Sequence, residues 1–270
     1  MAARQAGALK VDLRKALFLL PNLVTCAAIF FGFEAILVAA GEGGPDRFPR
    51  AAALILVAML LDTVDGRLAR LTRTQSAFGV QLDSLADLSS FGVAPAVLAY
   101  RWSLEPLGPP ALFACFVYVA AGAIRLARFN VLSMDRRGAP RTPGKYTVGL
   151  PIPGAAGLLV AVVALDQGLD GWIAAHPGLV LVLVVAAAVL MVSTLSFRSF
   201  KDLRPTPASI AFVLLVGAVG ALLAVEIHVS ASLAWLLGVY VALALVESTL
   251  GLFRRLFDRP EGPTAAPSDD

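Results

Sequence analysis

Cysteine and histidine are nearly missing from this chain, with two of each, and whole classes of chemistry go with them. Cys26 and Cys115 each fall inside a hydrophobic run and share no CxxC spacing, which argues against a disulfide framework and a structural zinc site. They read as small apolar packing residues. His176 and His228 both fall in segments that the charge pattern described below places away from most arginines, so Ser–His–Asp and Cys–His chemistry are set aside at the arginine-rich side. Charge is also scarce, 15% of residues against about 25% in a soluble domain. The lysines and arginines sit in short connecting segments rather than in an arm or stripe, so the net charge of +3 carries no nucleic-acid reading.

What is abundant is apolar sequence in long blocks: 58% of the chain is hydrophobic, against about 45–50% in soluble proteins. A membrane span needs about 20 mostly apolar residues. Eight runs qualify, at roughly 17–40, 49–70, 79–102, 109–133, 150–167, 173–196, 207–227 and 231–253. The fifth is short and carries Pro151 and Pro153. The pattern predicts an all-α integral membrane protein. It would be a polytopic bundle of about eight transmembrane helices, introduced by a short interfacial helix near residues 11–20. The basic N-terminal stretch precedes a run long enough to span and lacks a small-residue cleavage pattern, so it is expected to be retained rather than cleaved as a leader. Residues 1–258 read as a single transmembrane domain with a core at about 11–205, and 259–270 as a polar, Pro-rich disordered tail.

If each run reverses direction, nineteen of the 22 lysines and arginines fall on one side, among them Arg67, Arg70, Arg125, Arg128 and Arg198. Only Arg47, Arg50 and Arg101 fall on the other. That asymmetry is the positive-inside pattern and places both termini in the cytoplasm of a cell whose inner membrane holds the protein.

Acids inside spans are costly and mark function by default. Asp62 and Asp65 end the second run, and Asp83 and Asp87 begin the third. Spacings of three and four put each pair on one helix face. The short connection makes the two helices antiparallel neighbours, so the acidic faces can converge near the cytoplasmic surface. Converging carboxylates cannot all ionise without compensating cations. An all-oxygen ligand set suits Mg2+, Mn2+ or Ca2+ rather than zinc. Two such ions are suited to in-line displacement at phosphorus. Gly66 and Ala69 leave a groove beside the acids, Arg70 can pair with a phosphate oxygen, and Gly79 permits a tight turn. Taken singly, each of these residues has an ordinary packing or solvation role. The pattern Asp62-x2-Asp65-Gly66-x2-Ala69-Arg70-x8-Gly79-x3-Asp83-x3-Asp87 fixes eight positions at odds on the order of one in a billion per start position, so the combination outweighs the single-residue readings.

These eight positions resemble the signature of the CDP-alcohol phosphotransferase family without a gap. Five further stretches look like its phosphatidylserine synthase branch: PNLVT from Pro21, DSLADLSSFGVAPA from Asp83, RLARFN from Arg125, GLPIP from Gly149 and MVSTLSFRSFK from Met191. The resemblance implies a six-helix core and displacement of CMP from CDP-diacylglycerol by the hydroxyl of L-serine. It also implies two divalent metals, Mg2+ or Mn2+, on Asp62, Asp65, Asp83 and Asp87, with Asp87 also the base, and a homodimer in membrane lipid. Gly66, Ala69, Arg70 and Gly79 would hold the CDP moiety. Asn22 and Thr25 could bond the nucleotide or serve as helix-packing hydrogen bonds. Arg125, Arg128 and Arg198 could hold an acceptor carboxylate or equally an acceptor phosphate. The residues alone therefore leave open another acceptor, such as glycerol 3-phosphate, an inositol phosphate or choline. A cation transporter is the remaining alternative. It would place acids near the midplane on broken helices, whereas these acids cluster toward one face. Glu34 and Glu247 also fall in spans and are expected to be paired or snorkelling rather than part of the site.

Overall fold

The computed structural model describes residues 13–72, 74, 76–133, 146–194 and 196–198, together with 217, 218 and 239. The seventh and eighth spans expected from the sequence, the tail at 259–270, His228 and Glu247 lie outside the described residues, as does the side chain of Arg198.

The described chain is helical apart from one short strand pair. In order it forms α1 (Leu13–Ala40), α2 (Arg47–Thr72), α3 (Ala77–Leu107), α4 (Pro109–Ser133), β1 (Tyr146–Val148), α5 (Ile152–Asp166), α6 (Pro177–Val192) and β2 (Ser196–Arg198). β1 and β2 pair antiparallel, with Tyr146 opposite Arg198. The six helices coincide with the first six apolar runs. Among the described residues, four stretches are long and apolar enough to cross a membrane: Leu19–Ala40, Ala77–Leu107, Pro109–Leu132 and Ile152–Leu169. α2 has 26 residues, about 39 Å of helix, and its aspartates and arginines lower its hydropathy rather than its reach. The interfacial helix expected near 11–20 is not a separate element. Leu13–Leu20 is continuous with α1, which runs through Pro21.

In hydrocarbon, backbone polar groups must be satisfied within the helix, so the breaks fall where glycine and proline gather. Gly41–Pro45 separates α1 from α2, and Arg47 Nη1 donates to the carbonyls of Gly41 (2.7 Å) and Gly43 (3.1 Å). Gly108, at φ 66°, turns the chain from α3 into Pro109. Gly149, at φ 80°, lies so close to the end of α6 that a Cβ there would run into the Met191 carbonyl. Its neighbour Leu150 donates its N–H to Leu190 O at 2.9 Å, which ties the entry of α5 to α6.

Small residues let the helices approach one another closely. Ala28, Ala35 and Ala39 of α1 and Ala51, Ala52, Ile55 and Ala58 of α2 are all buried, and these two helices form the most extensive contact in the bundle. Leu23, Phe30, Phe33 and Leu37 of α1 and Leu112, Phe113 and Phe116 of α4 face outward instead. That apolar surface suits lipid and not water.

α3 is not a uniform α-helix. Leu88–Val93 and Tyr100–Leu104 are π turns. Tyr118 of α4, fully buried, donates its hydroxyl to Phe91 O at 3.1 Å, and Ser90 Oγ donates to Ala28 O of α1 at 3.1 Å. The wide turn that follows Asp87 is thus bonded to a helix on either side.

The crossing of α1 and α3 is a close contact that a substitution can probe. A Cβ on Gly32 would stand 2.8 Å from Ser90 Cα, a backbone atom with nowhere to go, whereas nothing lies within 4 Å of one on Gly44. Gly32→Ala is expected to cost about 1–3 kcal/mol and lower the thermal midpoint in detergent, while Gly44→Ala stays within about 0.5 kcal/mol. Equal midpoints for the two variants would refute the tight crossing.

Candidate active site

The last turns of α2 and the first turns of α3 carry the acids. The link between them is short and locally bonded. Thr72 Oγ1 donates to Leu68 O at 2.8 Å and lies 2.7 Å from Thr74 Oγ1. Thr74 N–H reaches Ala69 O at 3.1 Å. Ser76 then caps α3, its Oγ accepting from Gly79 N at 3.0 Å. A turn this compact brings the two helix ends back side by side.

Asp62, Asp65 and Asp83 each present an oxygen, and the three oxygens lie within 4.8 Å of one another. Asp62 is also in side-chain contact with Asp87, which makes it the centre of the group. Asp65 is buried, while Asp62 and Asp83 keep some exposure. Oδ1 of Asp87 is buried and has no hydrogen-bond partner among the described residues. All the donors are carboxylate oxygens, and their separation is within the span of one ion's coordination shell. Together with the partnerless Asp87 oxygen, this fits a divalent cation that takes oxygen ligands.

Two guanidiniums flank the acids. Arg70 folds back along its own helix, and a Cβ on Gly66 would stand 3.6 Å from its Nη1. The guanidinium thus lies in ordinary contact with the Gly66 position, and the Arg70 charge acts on Asp83. Arg125, half-buried in α4, acts electrostatically on Asp87. Arg128, one turn further along, is exposed. Arg198 is placed only through its backbone in β2.

The remaining residues singled out in the sequence divide. Asn22 lies beside the start of α3, its Oδ1 3.6 Å from where a Gly79 Cβ would stand. Ala69 lies half-buried at the end of α2. Thr25 is buried, and its hydroxyl donates to Asp65 Oδ2 at 2.7 Å. Glu34 lies away from the site and pairs with Arg50 at 3.5 Å. His176 sits in the α5–α6 connection, with Nδ1 2.6 Å from Trp172 O.

Two residues with no role assigned from sequence also belong here. Asn130 Nδ2 donates to Ser84 Oγ at 2.9 Å, and Ser84 Oγ donates to Val80 O at 3.0 Å. This bond ties α4 to α3 between Asp83 and Asp87. Asn130 closes the RLARFN stretch, and a polar amide at the end of an apolar run was the signal available.

Comparison with known proteins agrees with this geometry. The model of the CDP-alcohol phosphatidyltransferase family matches residues 18–178, which include all four aspartates. A CDP-diacylglycerol–serine O-phosphatidyltransferase of Helicobacter pylori is 39% identical over 189 residues, covering 70% of this chain and 75% of that protein. Proteins of the same name from Methanocaldococcus jannaschii and Saccharomyces cerevisiae are 43% identical over 108 residues and 40% over 121. These cover 40% and 44% of this chain, and 47% and 43% of the two relatives. With the four aspartates gathered at one end of the bundle and the match extending over most of the described helices, the chain belongs to the CDP-alcohol phosphatidyltransferase family.

Proposed function

We propose that this protein transfers the phosphatidyl group of CDP-diacylglycerol to the hydroxyl of L-serine, releasing CMP. The observation that carries the reading is the convergence of Asp62, Asp65 and Asp83 on one point, with Asp87 and Arg125 beside it. The names of the relatives supply the substrates. The physical setting agrees with them: acids at the end of membrane helices meet a lipid's phosphates at headgroup level while its acyl chains remain in the bilayer.

Asp62, Asp65, Asp83 and Asp87 would hold two divalent cations, Mg2+ or Mn2+. When bound, these ions supply charge stabilisation for the diphosphate and the departing CMP. Gly66, Ala69, Gly79 and Asn22 border the place for the nucleotide, and Arg70 pairs with a phosphate oxygen. Asp87 takes the proton from the serine hydroxyl. The serine oxygen forms a bond to the phosphorus that bears diacylglycerol, and the bond from that phosphorus to CMP breaks. Arg125, with Arg128 and Arg198, attracts the serine carboxylate. Because the Arg125 charge acts on Asp87, an acceptor whose carboxylate and hydroxyl are only a few bonds apart can reach both at once.

The sidedness follows the charges. Arg67, Arg70, Arg125 and Arg128 share the aspartate end of the bundle, while Arg47, Arg50 and Arg101 share the other. This supports a cytoplasmic active site in the inner membrane with both termini inside. A homodimer remains part of the proposal on resemblance alone.

Purified protein in detergent, given CDP-diacylglycerol and Mn2+, is expected to move label from L-serine into lipid and not from glycerol 3-phosphate. Asp87→Asn should lower the rate by about 10²–10⁴ while the protein keeps its elution volume and helical circular dichroism. Label from glycerol 3-phosphate alone would replace the acceptor, and an active Asp87→Asn would remove the base. Chelation with EDTA should abolish turnover, with Mg2+ or Mn2+ restoring it and Zn2+ not. Full activity in EDTA would sink the metal-dependent reading.

A further inference from the structure

Thr25 has one hydroxyl proton and two acceptors in range, Asp65 Oδ2 at 2.7 Å and Pro21 O at 3.1 Å. Pro21 O lies four residues back on the same helix, where the Thr25 backbone N–H already serves it. The carboxylate is both nearer and ionic, so the proton goes to Asp65. Thr25 is 5% exposed and Asp65 3%, which keeps water from replacing the bond. Asp65 is therefore held by a donor from α1, while Asp62 and Asp83 keep some exposure.

We propose that Thr25 is a positioning residue for cation binding: its hydroxyl fixes the rotation of Asp65 so that the remaining lone pairs face Asp62 and Asp83. The role passes through Asp65 and requires no contact with the nucleotide. The inference rests on the metal-dependent reading of the site given above. It deepens that reading, because α1 then takes part in cation affinity although none of the four aspartates belongs to it.

The test measures metal binding directly and apart from turnover. Full-length protein in detergent is titrated with Mn2+, and free Mn2+ is read by its electron paramagnetic resonance signal. Thr25→Val, which keeps shape and loses the hydroxyl, is expected to weaken Mn2+ binding by about 10–100-fold, as loss of a partner behind a metal ligand does. Thr25→Ser is expected to bind as wild type does. At saturating Mn2+ the KM for CDP-diacylglycerol should be the same in all three. Should Thr25→Val fail to fold, Thr25→Ser against Thr25→Ala isolates the hydroxyl, with only the serine variant retaining affinity. Wild-type Mn2+ affinity in Thr25→Val, with a raised KM for CDP-diacylglycerol, would overturn the proposal and give the hydroxyl to the nucleotide. A wild-type protein that neither binds Mn2+ nor transfers serine would instead overturn the parent reading.

Discussion

Four carboxylates held at one point repel one another, and the rest of the bundle is arranged so that they cannot move apart. At the separations seen among Asp62, Asp65 and Asp83, each charged pair costs about 3–4 kcal/mol at an effective dielectric of about 20. An exposed loop would relieve that cost by swinging outward. Here the acids stand on helices, whose rigid register sets each side chain's direction, and the link between the helices is too short to let their ends separate. Behind them, α1 packs on α2 through a seam of alanines, and its Gly32 admits Ser90 of α3. The π turn after Asp87 is bonded to α1 through Ser90 and to α4 through Tyr118. Removing freedom from these helices concentrates the repulsion at the site, where a cation can relieve it.

Much of this was legible in the sequence, for physical reasons that differ from residue to residue. The first six apolar runs are helices because a bilayer leaves the backbone few other options. Spacings of three and four forecast the convergence of the acids because helix geometry is invariant over a turn or two. The interfacial helix is not a separate element, because α1 runs unbroken through Pro21. Pairings across helices were not legible at all. Thr25 with Asp65, Asn130 with Ser84 and Glu34 with Arg50 are separated by 40, 46 and 16 positions in the chain. No local pattern records which helix faces will meet. The π turn at Leu88–Val93 escaped for a related reason: its support comes from Tyr118 and Ala28 on other helices, so DSLADLSSFGV reads locally as plain helix.

The surroundings of the acids also bear on how many cations the site calls for and which acceptor it favours. Four carboxylates bring four negative charges, and the guanidiniums acting on them, Arg70 at Asp83 and Arg125 at Asp87, return two. With all four acids ionised, one divalent cation balances what is left before any substrate arrives. The diphosphate of CDP-diacylglycerol adds two negative charges, and a second divalent cation balances those. On the proposed reading, the two ions therefore have different reasons to be present, one set by the protein and one brought in with the donor. L-serine is zwitterionic and enters this balance without disturbing it. A phosphorylated acceptor would add about two further negative charges beside Asp87 and leave that balance negative. Arg128 is exposed, where solvent and salt screen its charge. The same arrangement that gathers the acids thus favours an acceptor with no net charge, and serine meets that condition while offering a carboxylate for Arg125 to orient.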